Sequence, residues 1–212
     1  KDNWTIINEW AEERFIHVNC LNGEIKYADL SKGIMHVSHL PDSIYKDFYW
    51  DSYIYPLDDS HFAINCRDEG FFIFNLDTIS GVIAIKGERQ LSELRVFSIL
   101  NDAAGRLVIG TTAGLYYQKN TKSFARAYEV KTPTDPLTNP FITDVVISGE
   151  KLITSTISPD HAFLILDRKT MKVKKQIRIS ENQKDNEVLA LRKIREKEIW
   201  CLTNGGVFLF NS

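Results

Sequence analysis

The chain has 212 residues, 43% hydrophobic and 25% charged, an ordinary soluble composition with enough material for one sizeable core. A formal charge of −2 argues against nucleic acid or an anionic membrane surface as a partner, because both require clustered Lys and Arg. No apolar run approaches the roughly 20 residues that span a bilayer, and Lys1-Asp2-Asn3-Trp4 does not read as the start of a signal peptide, so any membrane attachment is expected only through regions outside this sequence.

In chain order, the first elements are short apolar runs between Phe15 and Leu30, broken at Gly23. His36-Val37-Ser38-His39 follows, and its two histidines are not a metal pair, because residues three apart on a strand point to opposite faces. The next connection, Tyr45-Lys46-Asp47-Phe48-Tyr49-Trp50, is unusual in carrying four aromatic residues. Phe62 to Phe74 then repeats the strand–turn–strand form about Gly70. Val96 to Tyr128 holds four runs separated by Asn101 to Gly105, by Thr111 to Gly114 and by a third polar break. Runs this short, bounded by Gly, Asn, Asp and Thr, predict an antiparallel meander. Leu152 to Leu166 is a degenerate copy in which Asp160-His161-Ala162 replaces the glycine. In Arg168 to Ile179, apolar Met171, Val173, Ile177 and Ile179 alternate with Lys172, Lys174, Gln176 and Arg178, which predicts a half-exposed outer strand whose lysines discourage edge pairing. Ile199 to Phe210 closes the series about Gly206.

The markers Gly23, Gly70, Gly114, Ala162 and Gly206 are separated by 47, 44, 48 and 44 residues. A period of about 45 with four strands per unit predicts an all-β fold, a β-propeller of four-stranded antiparallel blades. The repeats fall near 1–45, 46–90, 91–140, 141–187 and 188–212, within a single domain, and the fifth stops after its third strand. Each sheet is apolar on both faces, so neighbouring units must cover one another. Cys20, Cys66 and Cys201 fall at the end of the second strand in three of the five units; equivalent positions in different blades are not neighbours, so they read as buried thiols rather than disulfides.

The segments Val96-Phe97-Ser98-Ile99-Leu100-Asn101-Asp102, Gly105-Arg106-Leu107-Val108-Ile109-Gly110-Thr111 and Gly114-Leu115-Tyr116 resemble the two-component regulator propeller repeat. In that family the repeats form the extracytoplasmic sensor of hybrid two-component proteins, especially of gut Bacteroidetes, and report glycan fragments to a histidine kinase across the inner membrane. The resemblance implies a segment of a larger periplasmic sensor, an oligosaccharide ligand and a homodimer of the full-length protein. The matched residues are structural, so it transfers no site. A self-closed five-bladed ring is the alternative architecture.

No nucleophile with a base, HExxH, nucleophile elbow or phosphate-cradling glycine loop is present, so neither catalysis, a metal nor a cofactor is expected. The alternatives to ligand sensing are a protein-interaction scaffold and, third, a glycan-active enzyme. In the fold expected, links from fourth to first strands and from second to third strands gather at one end of the axis. Tyr49 or Trp50 with Arg67, Arg95 and Asp135 would border a ligand there, supplying one stacking surface, two cations and one acceptor. The competing reading is that Phe48 and Trp50 pack between blades.

Overall fold

The computed structural model describes residues 5–11, 13–49, 52–66, 69–77, 79–102, 104–120, 123–127, 141–157 and 161–212. These form two compact units that divide at Val96. In the first, β1 (Thr5–Ala11), β2 (Arg14–Asn19), β3 (Glu24–Asp29) and β4 (Ile34–His39) make one antiparallel meander. A second contains β5 (Ile54–Pro56), β6 (His61–Asn65), β7 (Phe71–Leu76) and β8 (Ile83–Ile85).

The second unit holds three sheets. They are β9 (Val96–Asn101) to β12 (Ser123–Arg126), through β10 (Leu107–Thr111) and β11 (Gly114–Asn120); β13 (Phe141–Ser148) to β16 (Val173–Ile177), through β14 (Lys151–Ile157) and β15 (Phe163–Asp167); and the three-stranded β17 (Val188–Arg195), β18 (Glu198–Thr203) and β19 (Gly206–Asn211). Among the described residues the only helices are the four-residue α1 (Asp42–Tyr45) and α2 (Gln183–Asn186), and no helix is long and apolar enough to cross a membrane.

Within each unit, successive sheets bury their apolar faces against each other. Ile16, Val18, Ile25 and Tyr27 meet Phe62, Phe74 and Leu76 in the first unit. Phe62 stacks on Phe74 with centroids 5.0 Å apart. In the second unit, Val108 and Leu115 pack with Ile142, Leu152 and Leu164, while Phe163 and Ile153 pack with Leu191 and Ile199. Fully burying such side chains contributes about 1.5–3 kcal/mol each, which is what makes mutual coverage of the sheets favourable.

The repeat markers all stand at second-to-third-strand turns. Gly23, Gly70, Gly114 and Gly206 have positive φ, whereas Ala162 does not. At Gly70 the requirement is absolute. The Gly70 N–H donates to the Leu94 carbonyl at 2.7 Å as Gln90 pairs with Phe71, and a Cβ would lie 1.9 Å from the Gln90 carbonyl oxygen.

The three cysteines are free thiols, with Cys66 and Cys201 buried and Cys20 half-buried. Burial pushes their pKa up, to about 12 for Cys66 and about 11 for Cys20 and Cys201, so they stay protonated and act as small apolar residues. The outer strand β16 keeps Lys174 and Lys175 exposed and Val173 and Ile177 half-buried, with Met171 buried beside it.

Candidate functional site

The second-to-third-strand turns, where the sequence places a ligand, are largely occupied by their own hydrogen bonds. Thr111 Oγ1 donates to the Gly114 carbonyl at 2.8 Å and accepts the Ala113 N–H at 3.0 Å. Thr203 repeats this, donating to the Gly206 carbonyl and accepting the N–H of Gly205 and Gly206. Thr156 Oγ1 donates to the His161 carbonyl at 2.5 Å. The threonine that recurs in the repeats is therefore a turn clamp. The link Glu181 to Glu187 is closed in the same way, by buried Asn186, which accepts from the Ile179 N–H and donates to the carbonyls of Ser180 and Asn182.

Of the five residues expected to border a ligand, Trp50, Arg67 and Asp135 lie outside the described residues. Tyr49 and Arg95 are both half-buried, Tyr49 in the link after α1 with its N–H donating to Ser52 Oγ at 3.0 Å, and Arg95 directly before β9. Phe48, from the same aromatic link, is core: it is buried and meets Phe74 edge-on at 6.5 Å. Between these elements lies a cation that sequence reasoning passed over. Arg89 is ion-paired to both Asp47 and Glu69 and lies 5.2 Å from the centre of the Phe72 ring. Two carboxylates saturate it, leaving this cluster with net negative charge.

One triad-like grouping can be read from its geometry. His61 Nδ1 is 2.8 Å from Asp58 Oδ1 and 3.1 Å from Ser60 Oγ, with Lys86 Nζ 3.1 Å from Nε2. A nucleophile–base–acid relay needs hydroxyl and carboxylate on opposite ring nitrogens. Here both sit on Nδ1, and Asp58 also accepts the Ser60 N–H, so the group is a turn.

A concave surface lies at the other end of the second unit's sheets, at first-to-second and third-to-fourth-strand turns. A cleft of about 550 Å³ is lined by the β9–β10 turn, the end of β11, the β13–β14 turn and the β15–β16 turn. Four cations line it, Arg106, Lys119, Arg168 and Lys169, with two carboxylates, Asp102 and Glu150.

Asp102 is fully committed. Its side chain is 1% exposed; Oδ1 accepts the N–H of Ala104 and Arg106, and Oδ2 accepts Arg106 Nε at 3.0 Å. Arg106 in turn donates from Nη2 to the Arg168 carbonyl at 2.6 Å and lies 5.6 Å from the centre of the Tyr117 ring. Arg168 holds exposed Glu150 only loosely, at 3.8 Å. Arg168 and Lys169 belong to the basic run that the sequence assigns to an outer strand; they sit in the turn before it, where their charges reach the cleft.

No protein-family model matches the sequence, and no curated protein does. Solved structures do. PorZ, an essential bacterial surface component of the type-IX secretion system of Porphyromonas gingivalis, superposes with a TM-score of 0.71 at 14% identity, over 94% of this chain and 30% of PorZ. The extracellular domain of the hybrid two component system BT3049 from B. thetaiotaomicron gives 0.63 at 19% identity, over 96% of this chain and 26% of that one. The WD40 β-propeller domain of Doa1 gives 0.59 at 14% identity, over 99% of this chain and 66% of that domain. The fold is of the β-propeller class. The chain spans less than a third of PorZ and of the BT3049 domain, and at these identities the likeness carries the fold alone.

Proposed function

We propose that the chain is a ligand-sensing β-propeller segment of the extracytoplasmic part of a hybrid two-component sensor, that it recognises glycan fragments, and that it works in the periplasm by reporting occupancy to a histidine kinase elsewhere in the full-length protein. The observation that carries this reading is the likeness over almost the whole chain to the extracellular domain of BT3049, joined to the repeat resemblance at Val96 to Tyr116. The cleft supports it, since about 550 Å³ falls within the usual range of small-molecule sites and its Arg, Lys, Gln and Asn side chains are donors suited to sugar hydroxyls. We assign the segment no catalytic step. Its full-length partners on this reading are an oligosaccharide and a second copy of the sensor.

Calorimetry and thermal shift of the full-length ectodomain against an oligosaccharide panel test this, because a ligand that binds only the folded state raises its Tm. A saturable shift with one glycan class supports the reading; silence across the panel overturns it. A second reading, a protein-interaction scaffold, is favoured by the likeness to PorZ and by one face of the last sheet, where Trp200, Leu202, Val207 and Leu209 are all exposed. A protein partner recovered by pull-down, with a silent glycan panel, would support that one.

A further inference from the structure

We infer that the cleft at the β9–β10, β13–β14 and β15–β16 turns is an anion subsite that takes the carboxylate or sulfate of an acidic oligosaccharide. That the ligand is an oligosaccharide rests on the sensing role proposed above; the anion preference rests on the cleft itself. Its four cations and two carboxylates leave a local charge of +2 in a chain whose net charge is −2, so the excess is a property of this place and not of the composition.

The distribution of that charge matters more than its sum. Asp102 is buried and satisfied by Arg106 and two backbone N–H groups, so it presents no free lone pair to a ligand. Arg106 is spent on Asp102 and on the Arg168 carbonyl, which makes it a positioning residue holding the β15–β16 turn against the β9–β10 turn. Lys119 and Lys169 are exposed, and among the described residues neither has an ion-pair partner. Arg168 is only a quarter exposed, and its one carboxylate, Glu150, is highly exposed and at the edge of ion-pair distance. Three cations, Lys119 from the end of β11 and Arg168 and Lys169 from the β15–β16 turn, are therefore held around one concave surface with little to neutralise them. A planar guanidinium flanked by two ammonium groups suits an oxyanion with several acceptor oxygens, and guanidinium–oxyanion hydrogen bonds are roughly twice as strong as neutral ones. The Arg89 cluster of the first unit shows the contrary arrangement, with two carboxylates closing on a single cation.

The test uses the full-length ectodomain and three probes: a trisaccharide ending in glucuronic acid, the same trisaccharide ending in glucose, and sodium sulfate. By calorimetry the acidic trisaccharide is expected to bind at least about tenfold more tightly than the neutral one at low salt, with the advantage shrinking as salt screens the exposed lysines. The double variant Lys119→Ala, Lys169→Ala should remove about tenfold of that affinity while keeping Tm and the circular dichroism spectrum, and Lys169→Glu should remove more. Equal binding of the acidic and neutral sugars, or an acidic advantage that survives in both variants, overturns the anion subsite. Sugar binding that persists unchanged in the variants sinks the cleft and leaves the sensing reading standing. Sulfate binding that the variants abolish, with neither sugar bound, keeps an anion site and overturns its oligosaccharide occupant.

Discussion

Two turns of this molecule start from nearly the same local chemistry and end differently. Around Gly70 in the first unit and Gly105 in the second, a glycine in the left-handed region sits near an arginine that lies over an aromatic ring and is held by carboxylate. At Gly70 the link Gln90 to Leu94 folds back onto the turn, and Arg89 is clamped by two acids. At Gly105 nothing lies within 4 Å of where a Cβ would be, and Arg106 meets one acid and a backbone carbonyl. The difference is set by the neighbouring connections. One folds back and closes the surface; the other turns, bridged by Arg106, leave a cleft with excess positive charge.

Substituting the two glycines gives the largest expected contrast. Gly70→Ala meets left-handed strain of about 1–2 kcal/mol and a backbone carbonyl 1.9 Å away that must move, for a total of about 3 kcal/mol or more. Gly105→Ala carries only the strain, about 1 kcal/mol. Urea denaturation of both variants measures this directly, and equal losses would mean that the close approach of the Gln90 carbonyl adds nothing to the strain at Gly70.

The arginines give the next contrast. Arg106→Ala strands a carboxylate that is 1% exposed and should cost about 3 kcal/mol. Arg89→Ala leaves Asp47 and Glu69, whose side chains are 34% and 63% exposed, free to rehydrate, and should cost about 1 kcal/mol. If Arg89→Ala proves the more damaging, the first cluster is a structural keystone and the burial argument is wrong.

What the sequence reveals about these regions follows from the range of the interactions. The strand runs and the turns are local, so short apolar segments bounded by Gly, Asn and Thr identify the meanders, and a lysine-bearing strand such as Val173–Ile177 reveals its outer position. The four-residue helices α1 and α2 are too short to leave a 3.6-residue pattern. Phe48 is indistinguishable in sequence from a stacking aromatic, and only its contact with Phe74 makes it core. The cleft is illegible for a different reason. It joins Arg106, Lys119 and Arg168, from separate hairpins, and a repeat period says nothing about which hairpin ends leave a gap between them. The signal was present only as Arg168-Lys169 standing before the alternating residues of the outer strand.

The smallest expected effect is electrostatic and distinguishes a half-buried acid from an exposed one. Asp144 sits at a bulge in β13, where it accepts the N–H of Leu191 and of Val145, both at 2.8 Å, with Arg192 at 3.5 Å. Desolvation outweighs these contacts and holds its pKa above the ordinary carboxylate value. Asp77 is the reverse case: Ser80 Oγ donates to it at 2.6 Å, and this bond, with the N–H groups of Ile79 and Ser80, holds its pKa below that value. The folded state binds the Asp144 proton more tightly than the unfolded chain does, so this residue's contribution to stability falls as pH rises from about 4 through its folded pKa. Asp77 binds its proton less tightly when folded, so its contribution is present above about pH 4 and is lost as pH falls through its depressed value. Urea unfolding of the wild type, Asp144→Asn and Asp77→Asn between pH 3 and pH 7 should therefore give difference curves of opposite slope. A flat curve for Asp144→Asn would mean that the two backbone N–H groups and Arg192 fully replace the water Asp144 has lost.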